Sequence, residues 1–239
     1  MGNENKNSLE KFEDFLVSID LAKYRQKYLP IKIVEMNMPK KTQALFLLYK
    51  IYWEEKRFVS FEEFYIEYQR FHCVHLKTFQ EKIQMCQKCF DKGLPARIYR
   101  TWASIITQIH AGYVAESVFG PGTVKMSEEL DHQGADIQVN YNGVILNYDV
   151  KKESRSGVVG RGSTPKKPIP GIFIPIRYTV PDFKTIQHPQ KKNGTGFLKA
   201  YLNFKEHFLD TNILRVLPNG FVVFTPGIFE ERKKELNLR

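Results

Sequence analysis

Residues 135–155 read ADIQVNYNGVILNYDVKKESR and predict a β-hairpin, because polar and apolar residues alternate on both sides of Asn142-Gly143. An Asn-Gly pair between alternating runs is typical of a two-residue type I′ turn. Such a turn fixes the strand register, so that Ile137 is expected to face Tyr148 on the apolar side of the hairpin.

The opposite face of this hairpin carries two carboxylates. In the predicted register Asp136 lies directly across from Asp149, and Lys151 follows on the same face. Like charges so placed repel each other and destabilise a sheet. A divalent cation would turn this repulsion into a ligand set, since Mg²⁺ binds one or two carboxylates together with phosphate oxygens. A lysine beside the metal could polarise an attacking water. The alternative is a solvated polar face without a chemical role.

The spacing of these residues resembles the core of a known nuclease superfamily. Asp136, twelve intervening residues and Asp149-x-Lys151 resemble the D…(D/E)-x-K motif of the PD-(D/E)XK nucleases, especially type II restriction endonucleases. The family's proline before the first aspartate is absent, and Ala135 stands there. The family often adds a glutamate from a preceding helix, and Glu116 lies where that residue would fall.

The resemblance covers about residues 100–155 and implies Mg²⁺-dependent, site-specific hydrolysis of phosphodiester bonds in double-stranded DNA. It implies that Asp136, Asp149 and Glu116 bind metal and that Lys151 activates the water. It also implies a cognate DNA methyltransferase, and symmetric cleavage would favour a homodimer. The expected fold is α/β, with a central mixed β-sheet flanked by helices. The alternatives are a repair or mobile-element nuclease of the same superfamily and a non-catalytic helix-turn-helix DNA-binding regulator.

Positive charge is concentrated directly after the hairpin. The chain holds 36 Lys+Arg and 26 Asp+Glu, a net charge of +10, and most of the excess lies within residues 151–199. Such a stretch is typical of proteins with a polyanionic partner, although a solvated loop with incidental lysines is the alternative. The residues of this stretch that we expect to contact DNA are Lys152, Ser154, Arg155, Arg161, Lys166 and Lys167.

The first 95 residues predict a helical subdomain, and residues 96–239 the catalytic α/β domain. Helices are predicted over residues 8–29 and 42–56, from the Ser60/Glu63 capping box to about residue 70, and over residues 76–91 before Gly93 and Pro95. Three consecutive helices could form a helix-turn-helix unit whose third helix presents Lys77 and Gln80 to DNA. A helical subdomain that packs on the catalytic domain is the slightly favoured alternative.

The same region contains a histidine and cysteine pattern with zinc-like spacing, formed by His72, His75, Cys86 and Cys89. Because the two cysteines fall in the middle of a predicted helix, reduced thiols in a helical core are favoured over a zinc site.

The rest of the chain predicts further parts of the α/β domain. A long helix is expected over residues 97–119, a strand with an edge-type proline over 172–180, a helix over 197–209, two strands over 212–217 and 221–225, and a short charged helix at the end. No apolar run approaches the length of a membrane span. The first residues lack a signal-peptide pattern, and three cysteines fit a reducing compartment, so a cytoplasmic protein is expected.

Overall fold

A computed structural model of the protein describes residues 6–152, 169–178 and 212–237, and it divides the chain into two units whose boundary lies between Ile109 and His110. The helices are α1 (Ser8–Ser18), α2 (Leu21–Lys27), α3 (Lys32–Asn37), α4 (Leu45–Leu48), α5 (Phe61–Lys82), α6 (Gln87–Phe119), α7 (Glu128–Gln133) and α8 (Gly227–Asn237). A 3₁₀ turn covers Lys40–Thr42 and a π-helical turn covers Tyr49–Glu54. The strands are β1 (Val124–Lys125), β2 (Ile137–Tyr141), β3 (Val144–Lys152), β4 (Ile172–Tyr178), β5 (Leu214–Val216) and β6 (Val222–Phe224).

The first unit is helical and has a core of aromatic side chains. Trp102 of α6 is fully buried, and its indole N–H donates a hydrogen bond of 2.9 Å to the Tyr52 hydroxyl. That hydroxyl donates in turn to the Val59 carbonyl at 2.6 Å. Phe61 packs edge-on against Trp102 at 5.6 Å between ring centres. Buried tyrosine and tryptophan therefore keep their polar atoms paired, as such residues require.

The structure corrects the predicted helix boundaries in this unit. The capping box at Ser60 and Glu63 is confirmed, but the helix that it begins continues to Lys82 instead of ending near residue 70. The chain breaks at Gln84, which has a positive φ of 49°. The separate third helix of the helix-turn-helix prediction is therefore wrong, because its first residues, 76–82, belong to α5.

The two residues predicted to stop a helix lie inside α6. Pro95 is part of the helix, and Gly93 is where α3 approaches most closely. A Cβ added at Gly93 would lie 2.8 Å from Cγ2 of Val34 and 3.2 Å from Cβ of Ile31. The glycine here serves close packing rather than helix termination.

The second unit holds a mixed four-stranded sheet with the order β1-β2-β3-β4. The β1–β2 and β2–β3 pairs are antiparallel and the β3–β4 pair is parallel. The predicted hairpin register is confirmed from Tyr141–Val144 to Ile137–Tyr148, and both turn residues have positive φ, 51° at Asn142 and 78° at Gly143. The mixed sheet of the α/β prediction is therefore present.

The predicted strands after the hairpin are also present where the structure describes them. β4 ends the sheet order in the described part of the chain and accommodates Pro175, as strand edges tolerate proline. β5 and β6 form a separate antiparallel pair, and the expected terminal helix is α8. The predicted helix over residues 197–209 lies outside the described residues.

Candidate functional site

The hairpin ends at its open side with Asp136, one residue before β2. The ladder stops at Ile137–Tyr148, so the predicted pairing of Asp136 with Asp149 across the sheet is wrong. The Asp136 backbone N–H donates to the Tyr148 carbonyl at 2.8 Å, and its carboxylate Oδ2 accepts from the Val150 N–H at 2.6 Å. The side chain thus takes the place that a backbone carbonyl would occupy if the ladder continued.

Asp149 and Lys151 lie on the same face of β3, as the alternation predicts. The Lys151 Nζ is 2.6 Å from Oδ2 of Asp149, and the side chain of Asp149 is only 6% exposed while that of Lys151 is 49% exposed. Apart from this ion pair, the buried Oδ2 of Asp149 has no hydrogen-bond partner in the described part of the chain. On this face of β3, the buried carboxylate of Asp149 is therefore followed two residues later by the half-exposed ammonium of Lys151.

A third carboxylate, that of Asp131 in α7, affects the pKa of Asp136. Burial raises the pKa of Asp136 well above its usual range, and repulsion from Asp131 is the next cause. Repulsion from Asp149 adds to these, while the hydrogen bond from Val150 opposes them. A hydrogen bond between the Asp131 and Asp136 carboxyl groups also raises the pKa of Asp136. Such a bond forms when one carboxyl group holds a proton.

The position of Asp131 follows from how α7 begins and ends. The Ser127 hydroxyl accepts from the Leu130 N–H at the start of the helix. At its end Gly134 adopts a φ of 102°, and its N–H bonds to the Leu130 and Asp131 carbonyls. This left-handed cap is a standard helix end, and two residues later the chain reaches Asp136. The sequence signals were Ser127 and Gly134 at either end of an acidic run, but they did not predict the contact.

The carboxylates of Asp136 and Asp149 are suitable ligands for a hard divalent cation. Carboxylate oxygens are the ligands that Mg²⁺ prefers, and within the described residues the buried Asp149 Oδ2 has no partner apart from the Lys151 ammonium. A divalent cation would also offset the repulsion among the three aspartates. Within residues 6–152, 169–178 and 212–237, however, no three His, Cys, Asp or Glu side chains are grouped so that they could hold a metal ion.

Glu116 lies in the last turn of α6. Its carboxylate Oε1 accepts a hydrogen bond of 3.2 Å from the Gly122 N–H, in the turn that leads to β1. This contact gives a structural reason for an acid near a helix C-terminus, where the helix dipole disfavours it. Its proposed role as a third metal ligand stays a prediction.

The residues predicted to contact DNA are only partly within the described structure. Lys152 is exposed at the end of β3, whereas Ser154, Arg155, Arg161, Lys166 and Lys167 lie outside the described residues. Lys77 is exposed near the C-terminal end of α5. The Gln80 amide donates to the Met85 carbonyl at 3.3 Å and to Gln87 at 3.0 Å, so it bridges the junction between α5 and α6.

The cysteines do not lie in a helical core. Cys86 directly precedes α6 and Cys89 lies in its first turn; both are free and exposed, as is Cys73. The predicted mid-helix location was wrong because the chain breaks at residues 83–86. His72 is buried, and burial lowers its pKa.

Comparison with known proteins extends over nearly the whole chain. The sequence model described as TaqI restriction endonuclease matches residues 9–235. The type II restriction enzyme TaqI of Thermus aquaticus is 33% identical over 229 residues, which cover 92% of this chain and 84% of that enzyme. The type II restriction enzyme TthHB8I of Thermus thermophilus is 30% identical over 225 residues, 90% of this chain and 83% of that enzyme. No solved structure matches the chain.

Proposed function

The chain belongs to the TaqI restriction endonuclease family, and we propose that it hydrolyses DNA with Asp136, Asp149 and Lys151 at the open end of its hairpin. As a member of this family it is a type II restriction enzyme, a site-specific endonuclease of double-stranded DNA. The observation that carries the residue assignment is the contact between the half-exposed Lys151 ammonium and the buried, otherwise unbonded Asp149 carboxylate oxygen.

Type II restriction enzymes generally use divalent metal ions, and we propose Mg²⁺ here, held by Asp136 and Asp149. When bound, such an ion polarises a phosphate oxygen and lowers the pKa of a coordinated water. Asp149 holds the Lys151 ammonium at the border between the buried acids and solvent. Lys151 orients the attacking water and stabilises the negative charge that develops on the phosphate.

Further parts of the proposal rest on the sequence. The sheet and its hairpin would correspond to a PD-(D/E)XK core, with Glu116 as an additional metal ligand once it leaves Gly122. Lys77, Gln80 and Lys152 would contact DNA. The remaining DNA contacts would come from the basic segment after β3, namely Ser154, Arg155, Arg161, Lys166 and Lys167. The division into a helical subdomain of residues 1–95 and a catalytic domain of residues 96–239 belongs to the same proposal.

We also propose that the enzyme acts as a homodimer, since a two-fold protein matches a palindromic site. Light scattering of the pure protein would measure its mass. A cognate DNA methyltransferase and a cytoplasmic location complete the proposal. In the described part of the chain no helix is both long and apolar enough to span a membrane.

Incubation of the protein with plasmid DNA, with Mg²⁺ or with EDTA, tests the proposed function. Discrete fragments that appear only with Mg²⁺ are the expected result. An unresolved smear would indicate non-specific cleavage. Intact DNA with wild-type protein, under conditions in which it binds DNA, would refute hydrolysis. The Asp149→Asn variant serves as the matched control, because it retains the side-chain shape but not the charge.

A further inference from the structure

The parallel pairing of β3 with β4 brings a second cation beside Lys151. In the register Lys151 pairs with Arg177, and Val150 pairs with Ile176. Paired residues of neighbouring strands point to the same face and lie about 4.8 Å apart across the sheet. Val150 and Ile176 are buried on the opposite face, and Arg177 is exposed. Arg177 therefore stands on the face that carries Asp149 and Lys151.

The neighbouring residue of β4 leaves this corner accessible. Pro175 is the register partner of Asp149 and is itself exposed. Its small rigid ring carries no group that could cover the acid. The Asp149 carboxylate is buried, whereas Lys151 and Arg177 lie nearer the ends of β3 and β4 and are accessible to solvent.

The charge balance at Lys151 also favours a second cation. The Lys151 ammonium is 2.6 Å from the Asp149 carboxylate. The negative charge of Asp149 therefore offsets much of the positive charge of Lys151. A phosphate diester brings a further negative charge, and Asp136 already has the two acids Asp131 and Asp149 near it. Arginine suits this task because its planar guanidinium donates two parallel hydrogen bonds to phosphate oxygens.

We propose that Arg177 binds the non-bridging oxygens of the phosphate that is cleaved, next to Lys151. The sequence placed Arg177 only within a long basic stretch; the β3–β4 register gives it a position at the site. The proposal rests on the proposed function, since it requires Asp149 and Lys151 to act at that phosphate.

The test compares variants on an oligonucleotide duplex that contains the cleavage site mapped on plasmid DNA. Arg177→Ala is expected to lower the single-turnover cleavage rate with Mg²⁺ at saturating enzyme at least about tenfold, as loss of a donor to developing charge does. Arg177→Lys should recover part of this loss, because it keeps the charge but not the two parallel bonds. Arg215→Ala is the control, since Arg215 is an exposed strand arginine in the other sheet.

A second measurement identifies the phosphate. Affinity is measured in Ca²⁺ for the normal duplex and for one with an uncharged methylphosphonate at the scissile position. The methylphosphonate should weaken binding of wild type more than binding of Arg177→Ala, because the two changes remove one contact. Equal losses for both proteins would place Arg177 elsewhere and overturn the proposal.

Unchanged cleavage by Arg177→Ala would overturn it as well. A lower melting temperature of Arg177→Ala with unchanged single-turnover rate would give the residue a structural role instead. These failures differ from a failure of the proposed function, in which wild type itself would not cleave or Lys151→Ala would cleave normally.

Discussion

The two ends of the hairpin use the same two strands for different purposes. At the turn, Asn142 and Gly143 supply the positive φ angles that a tight connection requires, and the ladder is regular from the first pair onwards. At the open end the ladder stops, and the Asp136 carboxylate replaces a backbone acceptor for Val150. Backbone conformation thus determines the structure of the turn end, and a charged side chain determines that of the open end.

The difference shows how a sheet can hold acids that repel each other. The turn end satisfies the backbone preferences of a tight hairpin connection. The open end gathers Asp131, Asp136 and Asp149, which raises the pKa of Asp136. Buried charge of this kind costs stability unless a partner neutralises it. We therefore expect substitutions at the turn to change stability alone, and substitutions at the open end to change activity as well as stability.

The largest effect is expected for Lys151→Ala. Cleavage with Mg²⁺ should fall about a hundredfold or more, because a group that acts on the water or on developing charge is lost. DNA binding in Ca²⁺ should remain largely intact. Single-turnover kinetics and a binding titration measure the two quantities. Cleavage within about tenfold of wild type would remove Lys151 from the mechanism.

Lys152→Ala provides the matched control for this variant. Lys152 is the next residue of β3, so its side chain points to the other face, and it is also exposed. Its loss should weaken binding to all sequences alike and leave the single-turnover rate at saturating enzyme unchanged.

Gly143→Ala tests the turn end. A Cβ at Gly143 meets no atom of the described residues within 4 Å, so the expected effect comes from the φ of 78°. A side chain in this left-handed conformation costs about 1–2 kcal/mol. Thermal unfolding should show a lower melting temperature at unchanged cleavage rate. Asn142→Gly should be tolerated, and a melting temperature equally lowered by both changes would contradict the assignment to backbone conformation.

Asp136→Asn should stabilise the protein without metal at neutral and higher pH. The folded-state pKa of Asp136 is raised, so its stability contribution is full below the ordinary aspartate pKa of about 3.9 and is lost as pH rises through the folded-state value. Asparagine is uncharged, so the variant does not lose stability as the pH rises. We expect a melting temperature about 2–4 °C higher at pH 8 in EDTA, the shift that about 1 kcal/mol produces in a chain of this size.

The pH series supplies the critical comparison for this variant. The advantage of Asp136→Asn should shrink as pH falls towards 4, and Glu231→Gln, which removes an exposed acid, should show no such trend. A variant that melts below wild type at pH 8 would mean that the carboxylate is stabilising as an anion.

The smallest effect is expected for Tyr141→Phe, next to the turn. The Tyr141 hydroxyl donates to the exposed Asn237 side chain at 3.2 Å, and the ring contacts Phe119. Phenylalanine keeps the ring contact and loses only the exposed hydrogen bond, so stability should fall by about 0.5 kcal/mol or less. Chemical denaturation measures the difference. A loss above about 1 kcal/mol would show that the turn end also depends on this side chain.

The hairpin could be predicted because its signals are local. Alternation over residues 137–148 and the Asn-Gly pair determine both turn and register, and no distant residue is needed. The departure of Asp136 could not be predicted in the same way. It depends on α7, whose end at Gly134 brings Asp131 beside Asp136, and single-sequence patterns do not report such contacts.

In the helical unit, the residues that usually end helices did not predict the helix boundaries. Gly93 and Pro95 predicted a helix end, yet α6 passes through both, and Gly93 lies in close contact with Val34 and Ile31. The actual break at residues 83–86 carries neither glycine nor proline. Local propensity alone therefore did not predict these boundaries, since tertiary context can override it.

The hydrogen bond from the Val150 amide to the Asp136 carboxylate gives the enzyme a built-in spectroscopic probe. An amide proton that faces a carboxylate resonates at a frequency that depends on the charge of that carboxylate. The Val150 signal in a proton–nitrogen correlation spectrum would therefore report whether Asp136 is neutral, ionised or engaged with a cation. It would do so from the backbone, so that none of the side chains proposed to act in cleavage has to be substituted or modified.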